Sequence, residues 1–103
     1  MHFIFRDGKN NPLTEVWVSR DKRTVKYKNY TDDVLMTCFG SPEQASYEDV
    51  LGFFKERCFQ KNRSNLADIL KTLHMKTYDP YVMCRKLQGR MNQDSCWVDF
   101  MED

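Results

Sequence analysis

The spacing of apolar residues changes near residue 45 of this 103-residue chain, and that change limits the possible folds more than any other feature. Up to about residue 45, short runs alternate apolar and polar residues, as half-buried β-strands do. From residue 46 to 90, apolar residues recur at the spacing of amphipathic helices. The sequence therefore predicts a single α+β domain over 1–103, mainly β over 1–45 and helical over 46–90, with a last strand at 95–100.

The first 30 residues predict three strands of one antiparallel sheet, HFIFR at 2–6, TEVWVSR at 14–20 and RTVKYKNY at 23–30. Alternation places Trp17 opposite its valine neighbours, and Trp17 and Tyr27 are predicted to be exposed strand positions. Residues 31–45 contain Gly40 and Pro42, so they predict an irregular connection or an edge strand. The run CWVDF at 96–100 predicts the last strand, which rejoins the sheet.

Start and stop signals predict three helices after this region. The first begins at Ser46, with Asp49 in the position of a capping box. The second, at about 64–74, has its apolar residues spaced i, i+3, i+4 and i+7. The third occupies 80–88, with Asp79 as N-cap and Gly89 free to adopt the left-handed conformation that ends a helix.

No catalytic motif is visible, so the chain is predicted not to be an enzyme. The four glycines are scattered rather than clustered into a phosphate-binding loop, and no GxSxG sequence is present. The four cysteines form no CxxC pair, which predicts reduced, buried thiols and no cofactor. A zinc site built from three of them with His74 is the alternative to that interpretation.

Charge is unevenly distributed although the net charge is only +1. Residues 51–91 carry nine Lys or Arg against three acids, a local net charge of +6, whereas Asp94, Asp99, Glu102 and Asp103 make the tail acidic. The helices could be arranged as a helix-turn-helix with a wing, which would direct Tyr81, Arg85, Lys86 and Arg90 towards DNA. An ordinary solvated basic face explains the same residues equally well.

The segment from Phe54 to Phe100 resembles small proteins common in Firmicutes genomes and their mobile elements. The shared features are the pair Arg57 and Arg63, the helix that follows, the YDP at 78–80, Gly89, and the D-x-x-W of Asp94 and Trp97. The same order resembles the region ahead of the kinase domain in Firmicutes HipA-like toxins, a regulatory, protein-contacting module. This resemblance implies a small α+β module without catalytic apparatus. It also implies that Arg57, Arg63 and Asp94 pin the last strand to the helices or form an exposed contact set.

These observations predict a non-enzymatic regulatory or inhibitory protein that binds a protein partner. Such a protein could take two forms. One is an antitoxin-like module, and the other is an anti-CRISPR-like inhibitor of a nucleic-acid-processing defence complex, carried by a phage or mobile element. Exposed Tyr, Trp and Arg are typical of interaction hot spots, and the segment 27–39 is one candidate. The alternative is a small DNA-binding regulator that uses helix 80–88. Apolar runs are too short to span a membrane, so a cytoplasmic protein is expected.

Overall fold

A computed structural model describes residues 1–91 and 94–101, so Glu102 and Asp103 of the predicted acidic tail lie outside the described residues. The strands are β1 (His2–Arg6), β2 (Pro12–Val18), β3 (Val25–Asn29) and β4 (Trp97–Met101). The helices are α1 (Tyr47–Glu56), α2 (Leu66–Thr72) and α3 (Pro80–Leu87), with a 3-10 turn at Val34–Met36. The predicted α+β fold is confirmed.

The four strands form one antiparallel sheet in the order β3-β2-β1-β4. The last strand of the chain therefore pairs with the first, which makes β1 a central strand. His2 pairs with Trp17 on one side and with Met101 on the other. A register shift after Phe5 places Arg6 opposite Pro12, an irregular position that tolerates a proline without an N–H. The prediction that the last strand rejoins the sheet is correct.

Local capping signals place the first and third helices where the sequence predicts them. The Ser46 hydroxyl accepts a hydrogen bond from the backbone N–H of Asp49, whose carboxylate accepts one from the N–H of Ser46. The Asp79 carboxylate accepts hydrogen bonds from the first turn of α3, and Pro80 lies at its first position. The second helix, Leu66–Thr72, is shorter than the predicted 64–74, and its N-cap Asn65 makes no side-chain capping bond.

One face of the sheet packs against the helices and forms the core. Phe3 stacks against Phe53 and Phe54 of α1, and Phe54 in turn contacts Phe100 of β4. Helix α3 packs mainly against α1, with β4 beside it. Because strand side chains alternate between faces, the helices cover the side of Phe3 and leave the opposite side as a separate surface.

The guanidinium of Arg57, at the C-terminal end of α1, joins this core to the segment that leads into β4. Two of its nitrogens donate to the two carboxylate oxygens of Asp94, at 2.9 and 3.0 Å. Further donations reach the carbonyls of Gly89 and Cys96, each at 2.9 Å. The side chain is buried and lies over the ring of Phe5, 5.1 Å from its centroid. Of the three residues that the resemblance implies as pins or as an exposed contact set, Arg57 and Asp94 are paired as a pin.

Replacing Arg57 with alanine should lower the free energy of unfolding by about 3–5 kcal/mol, because Asp94 and two carbonyls lose their donor. Arg63→Ala removes the same side chain from an exposed position and is the matched control, with an expected change of at most about 0.5 kcal/mol. Urea unfolding followed by circular dichroism measures both. Equal effects of the two substitutions would refute a special role for Arg57.

The same pairing predicts a pH dependence of stability. Hydrogen bonding and charge from Arg57 hold the pKa of Asp94 below its ordinary value of 3.8. A carboxyl with a lowered pKa in the folded state stabilises the fold above its unfolded pKa and loses that contribution as pH falls. We expect Asp94→Asn to cost about 1–2 kcal/mol at pH 6, a modest value because Asp94 is 43% exposed, with the difference narrowing towards pH 2. A difference that stays constant from pH 6 to about pH 2 would contradict this assignment.

Candidate interaction surfaces

A turn of three exposed apolar residues projects from the long connection between β3 and α1. Leu35 is 91% exposed, Val34 is 50% exposed and Met36 is 37% exposed. We call Val34–Met36 the apolar tip. Apolar side chains this exposed are costly to keep in water, whereas burying a leucine gains about 1.5–3 kcal/mol. The tip therefore has the chemistry of an anchor for another apolar surface.

The apolar tip is held in one conformation by hydrogen bonds at both ends. The Asp33 carboxylate accepts a hydrogen bond from the N–H of Leu35 at 3.1 Å, and the Thr37 hydroxyl donates to the carbonyl of Val34 at 2.7 Å. The N–H of Gly40 donates to the Thr37 hydroxyl, and Asn29 of β3 donates to the carbonyl of Gly40 at 2.8 Å. An ordered turn loses less conformational entropy on binding than a mobile one.

A second surface is the face of the sheet opposite the helices, which we call the outer face. Its centre is Ile4, only 9% exposed, and around it alternation places Trp17 of β2 and Trp97 of β4. The His2 ring stacks on Trp17 with centroids 5.3 Å apart and planes 12° apart. The outer face thus has an apolar residue at its centre, with Glu15 and Asp99 directly beside it and the two tryptophans at diagonal positions.

Both acids of the outer face have partners within it. Glu15 lies 2.6 Å from the imidazole of His2 and accepts a 2.6 Å hydrogen bond from the hydroxyl of Tyr30. The Tyr30 hydrogen bond, followed by His2, holds the pKa of Glu15 below its usual value, so it stays ionised. Asp99 accepts a 2.9 Å hydrogen bond from Arg6. Neither carboxylate is therefore an unpartnered negative charge.

Two of the predicted contact residues do not have the exposure or the role expected of them. Tyr27 is half-buried against the core, its hydroxyl donates to the carbonyl of Pro42, and its ring meets Phe39 edge to face. The prediction that Tyr27 is exposed is wrong, because alternation puts it on the same side of β3 as Val25. Within the described residues, the guanidinium of Arg63 donates to its neighbour Asn65 and lies over Phe59 rather than against a carboxylate near β4, so it does not have the role predicted for it in pinning β4.

Trp17 is exposed as predicted, whereas Arg57 is buried and therefore cannot act as a surface contact.

The basic residues at the end of α3 are exposed but contact different parts of the molecule. Arg85 donates to the hydroxyl of Tyr81 at 3.0 Å and lies over Phe100. Arg90 lies over the ring of Trp97, 5.0 Å from its centroid. The use of Tyr81, Arg85, Lys86 and Arg90 as a DNA-reading set stays a prediction.

The four cysteines are free thiols, three of them buried. Desolvation raises the pKa of every one, and that of Cys84 reaches about 12, so thiolate forms are disfavoured at neutral pH. Among residues 1–91 and 94–101 no three His, Cys, Asp or Glu side chains are grouped closely enough to hold a metal ion. Within the same residues no helix is long and apolar enough to cross a bilayer.

Comparison of the chain with protein-family models, curated proteins and solved structures finds no match. The resemblance to small mobile-element proteins and to HipA-associated regions therefore stays a prediction. Inference about function therefore rests on the apolar tip and the outer face. The sequence predicts the apolar tip only as part of the broad segment 27–39, because its exposure depends on the path of a long connection and not on a local pattern.

Proposed function

We propose that this protein is a non-enzymatic regulatory or inhibitory protein that acts by binding a protein partner in the cytoplasm. The observation that carries the proposal is the apolar tip, with Leu35 at 91% exposure on a hydrogen-bonded turn. Among the described residues, Val34, Leu35 and Met36 do not pack against the core, so their apolar surface is free to be buried by another molecule. They match the anchors that fill a pocket on a partner and dominate binding energy.

The residues beside the apolar tip indicate the chemistry of the partner surface. Asp32 and Asp33 precede the tip and are exposed, and Glu43 lies further along the same connection. A complementary surface has an apolar pocket for Leu35 and basic residues around its rim. Basic rims are common on proteins that process nucleic acids, which agrees with a defence complex or a toxin as the target.

Two biological forms of this activity agree with the proposal. The resemblance to regions ahead of HipA-like kinase domains favours an antitoxin-like module that holds a toxin inactive. The size of the chain and its mobile-element resemblance favour an anti-CRISPR-like inhibitor carried by a phage. Both act stoichiometrically and require a protein interface, so the same experiment tests them.

We expect Leu35→Asp to weaken partner binding by about tenfold or more, since burial of one leucine contributes at least 1.4 kcal/mol at a hot spot. The fold should be unaffected, with the free energy of unfolding changed by less than about 0.5 kcal/mol, because the side chain already lies in water. Affinity capture from nuclease-treated lysate of cells that encode the protein, followed by quantitative mass spectrometry, measures this change.

Ala67→Asp is the matched control, because it introduces the same acid at an exposed position on α2. The proposal requires a protein that is recovered with the wild type and with Ala67→Asp and is depleted with Leu35→Asp. A recovered protein that responds equally to both substitutions would exclude the apolar tip. Nucleic acid recovered alone from a parallel lysate without nuclease, and lost when Arg85→Glu is combined with Lys86→Glu, would favour the DNA-binding alternative.

A further inference from the structure

The outer face has a composition that a protein partner at the apolar tip does not explain. It carries both tryptophans of the sequence, Trp17 on β2 and Trp97 on β4, and Tyr30 at the end of β3 lies on the same side. Trp17 is 39% exposed and Tyr30 is 45% exposed. Trp97 is half-buried, with Arg90 over its ring, and the ring of Trp17 is stacked on His2. An aromatic ring with one face covered still offers its other face to a flat ligand that stacks.

Two lysines accompany these rings, and the ammonium of Lys28 lies over the ring of Tyr30, 5.0 Å from its centroid. Lys26 pairs with Trp17 across β2 and β3, and Lys28 pairs with Glu15 in the same register. Glu15 is already bonded to His2 and Tyr30, and Asp99 is bonded to Arg6. Within the described part of the chain, neither lysine lies within ion-pair distance of a carboxylate. The described side chains of this face, Arg6, Lys26 and Lys28 against Glu15 and Asp99, leave a balance of one positive charge.

We propose that the outer face binds single-stranded nucleic acid. Four-stranded antiparallel sheets with aromatic side chains on the open face stack unpaired bases, and cations beside them hold the phosphates. Trp17 and Trp97 are the stacking residues, and Lys26, Lys28 and Arg90 are the phosphate contacts. An acidic peptide would use the cations but would leave the tryptophan rings without planar partners.

The register indicates the length of strand that fits. Trp17 is opposite His2 and Trp97 is opposite Arg6, so the tryptophans are separated by two strand spacings across the sheet and four residues along β1. These offsets correspond to roughly 10 Å and roughly 13 Å. A segment of about four nucleotides, the lower end of known single-strand sites, covers that area.

Fluorescence anisotropy of labelled oligonucleotides of about 12 nucleotides, oligo(dT) and oligo(U), tests the proposal directly. We expect binding that falls as salt rises from about 50 mM to about 200 mM, and weaker binding of a duplex of the same length. Lys26→Gln combined with Lys28→Gln should lower affinity by about fivefold or more. Lys55→Gln combined with Lys71→Gln, the same charge change on the helical side, should alter it by less than about twofold.

Intrinsic fluorescence then locates the site, because both tryptophans lie on the outer face. In Trp97→Phe the remaining fluorophore is Trp17, and we expect its emission to be quenched as the oligonucleotide binds. Anisotropy that rises without any quenching in Trp97→Phe would place the ligand elsewhere and overturn the proposal. Equal losses of oligonucleotide affinity in the two double-lysine variants would overturn it as well. Equal affinity for the duplex and for the single strand would have the same consequence.

Absence of binding by either oligonucleotide also overturns the proposal. A Trp17 emission that changes with protein concentration alone would then identify the outer face as a contact between copies of the chain. The test is independent of the apolar tip, since Leu35→Asp should leave oligonucleotide binding unchanged. Conversely, the two lysine substitutions should leave Leu35-dependent protein capture intact, so failure of one proposal is distinguishable from failure of the other.

Discussion

The buried guanidinium of Arg57 is the interaction on which the architecture depends. Its five donors fit a planar carboxylate and two carbonyls that belong to separate parts of the chain, the end of α3 and the approach to β4. Gly89 supplies one of these carbonyls and adopts a φ of +61°, in close contact with Val98. A side chain there would be strained and would displace β4. The geometry of this junction therefore fixes the last strand beside β1 and completes the sheet.

Once the helices occupy one face of the sheet, the remaining surfaces become available for other molecules. The aromatic core of Phe3, Phe53 and Phe54 fills the helical side. The outer face keeps its acids neutralised internally, and the connection to α1 presents Leu35 to solvent on a bonded turn. These surfaces differ in chemistry: the apolar tip is apolar with acidic neighbours, whereas the outer face is aromatic with excess cations. A regulator of a nucleic-acid-processing complex would bind the protein through the first surface and the nucleic acid through the second.

The parts of the structure that the sequence predicts well are those determined by nearby residues. Alternation defined the strands, and the capping residues Ser46 and Asp79 defined two helix starts, because these bonds span only two or three positions. The prediction that Tyr27 is exposed is wrong, although alternation already places it on the same face of β3 as Val25. Neither the stacking of His2 on Trp17 nor the exposure of Leu35 follows from local pattern, since both depend on strand register and on the path of a long connection. The hydrogen bond of Arg57 to Asp94 joins residues 37 positions apart, so no local pattern in the sequence predicts it.

The central claim, that the apolar tip is the docking point for a protein, is tested most directly by site-specific photocrosslinking in cells. A photoreactive amino acid replaces Leu35 in one variant and the exposed Lys71 of α2 in the other. The account predicts one discrete protein adduct from position 35, resistant to nuclease, and none of that size from position 71. The absence of an adduct from position 35, or the same adduct from both positions, would contradict it.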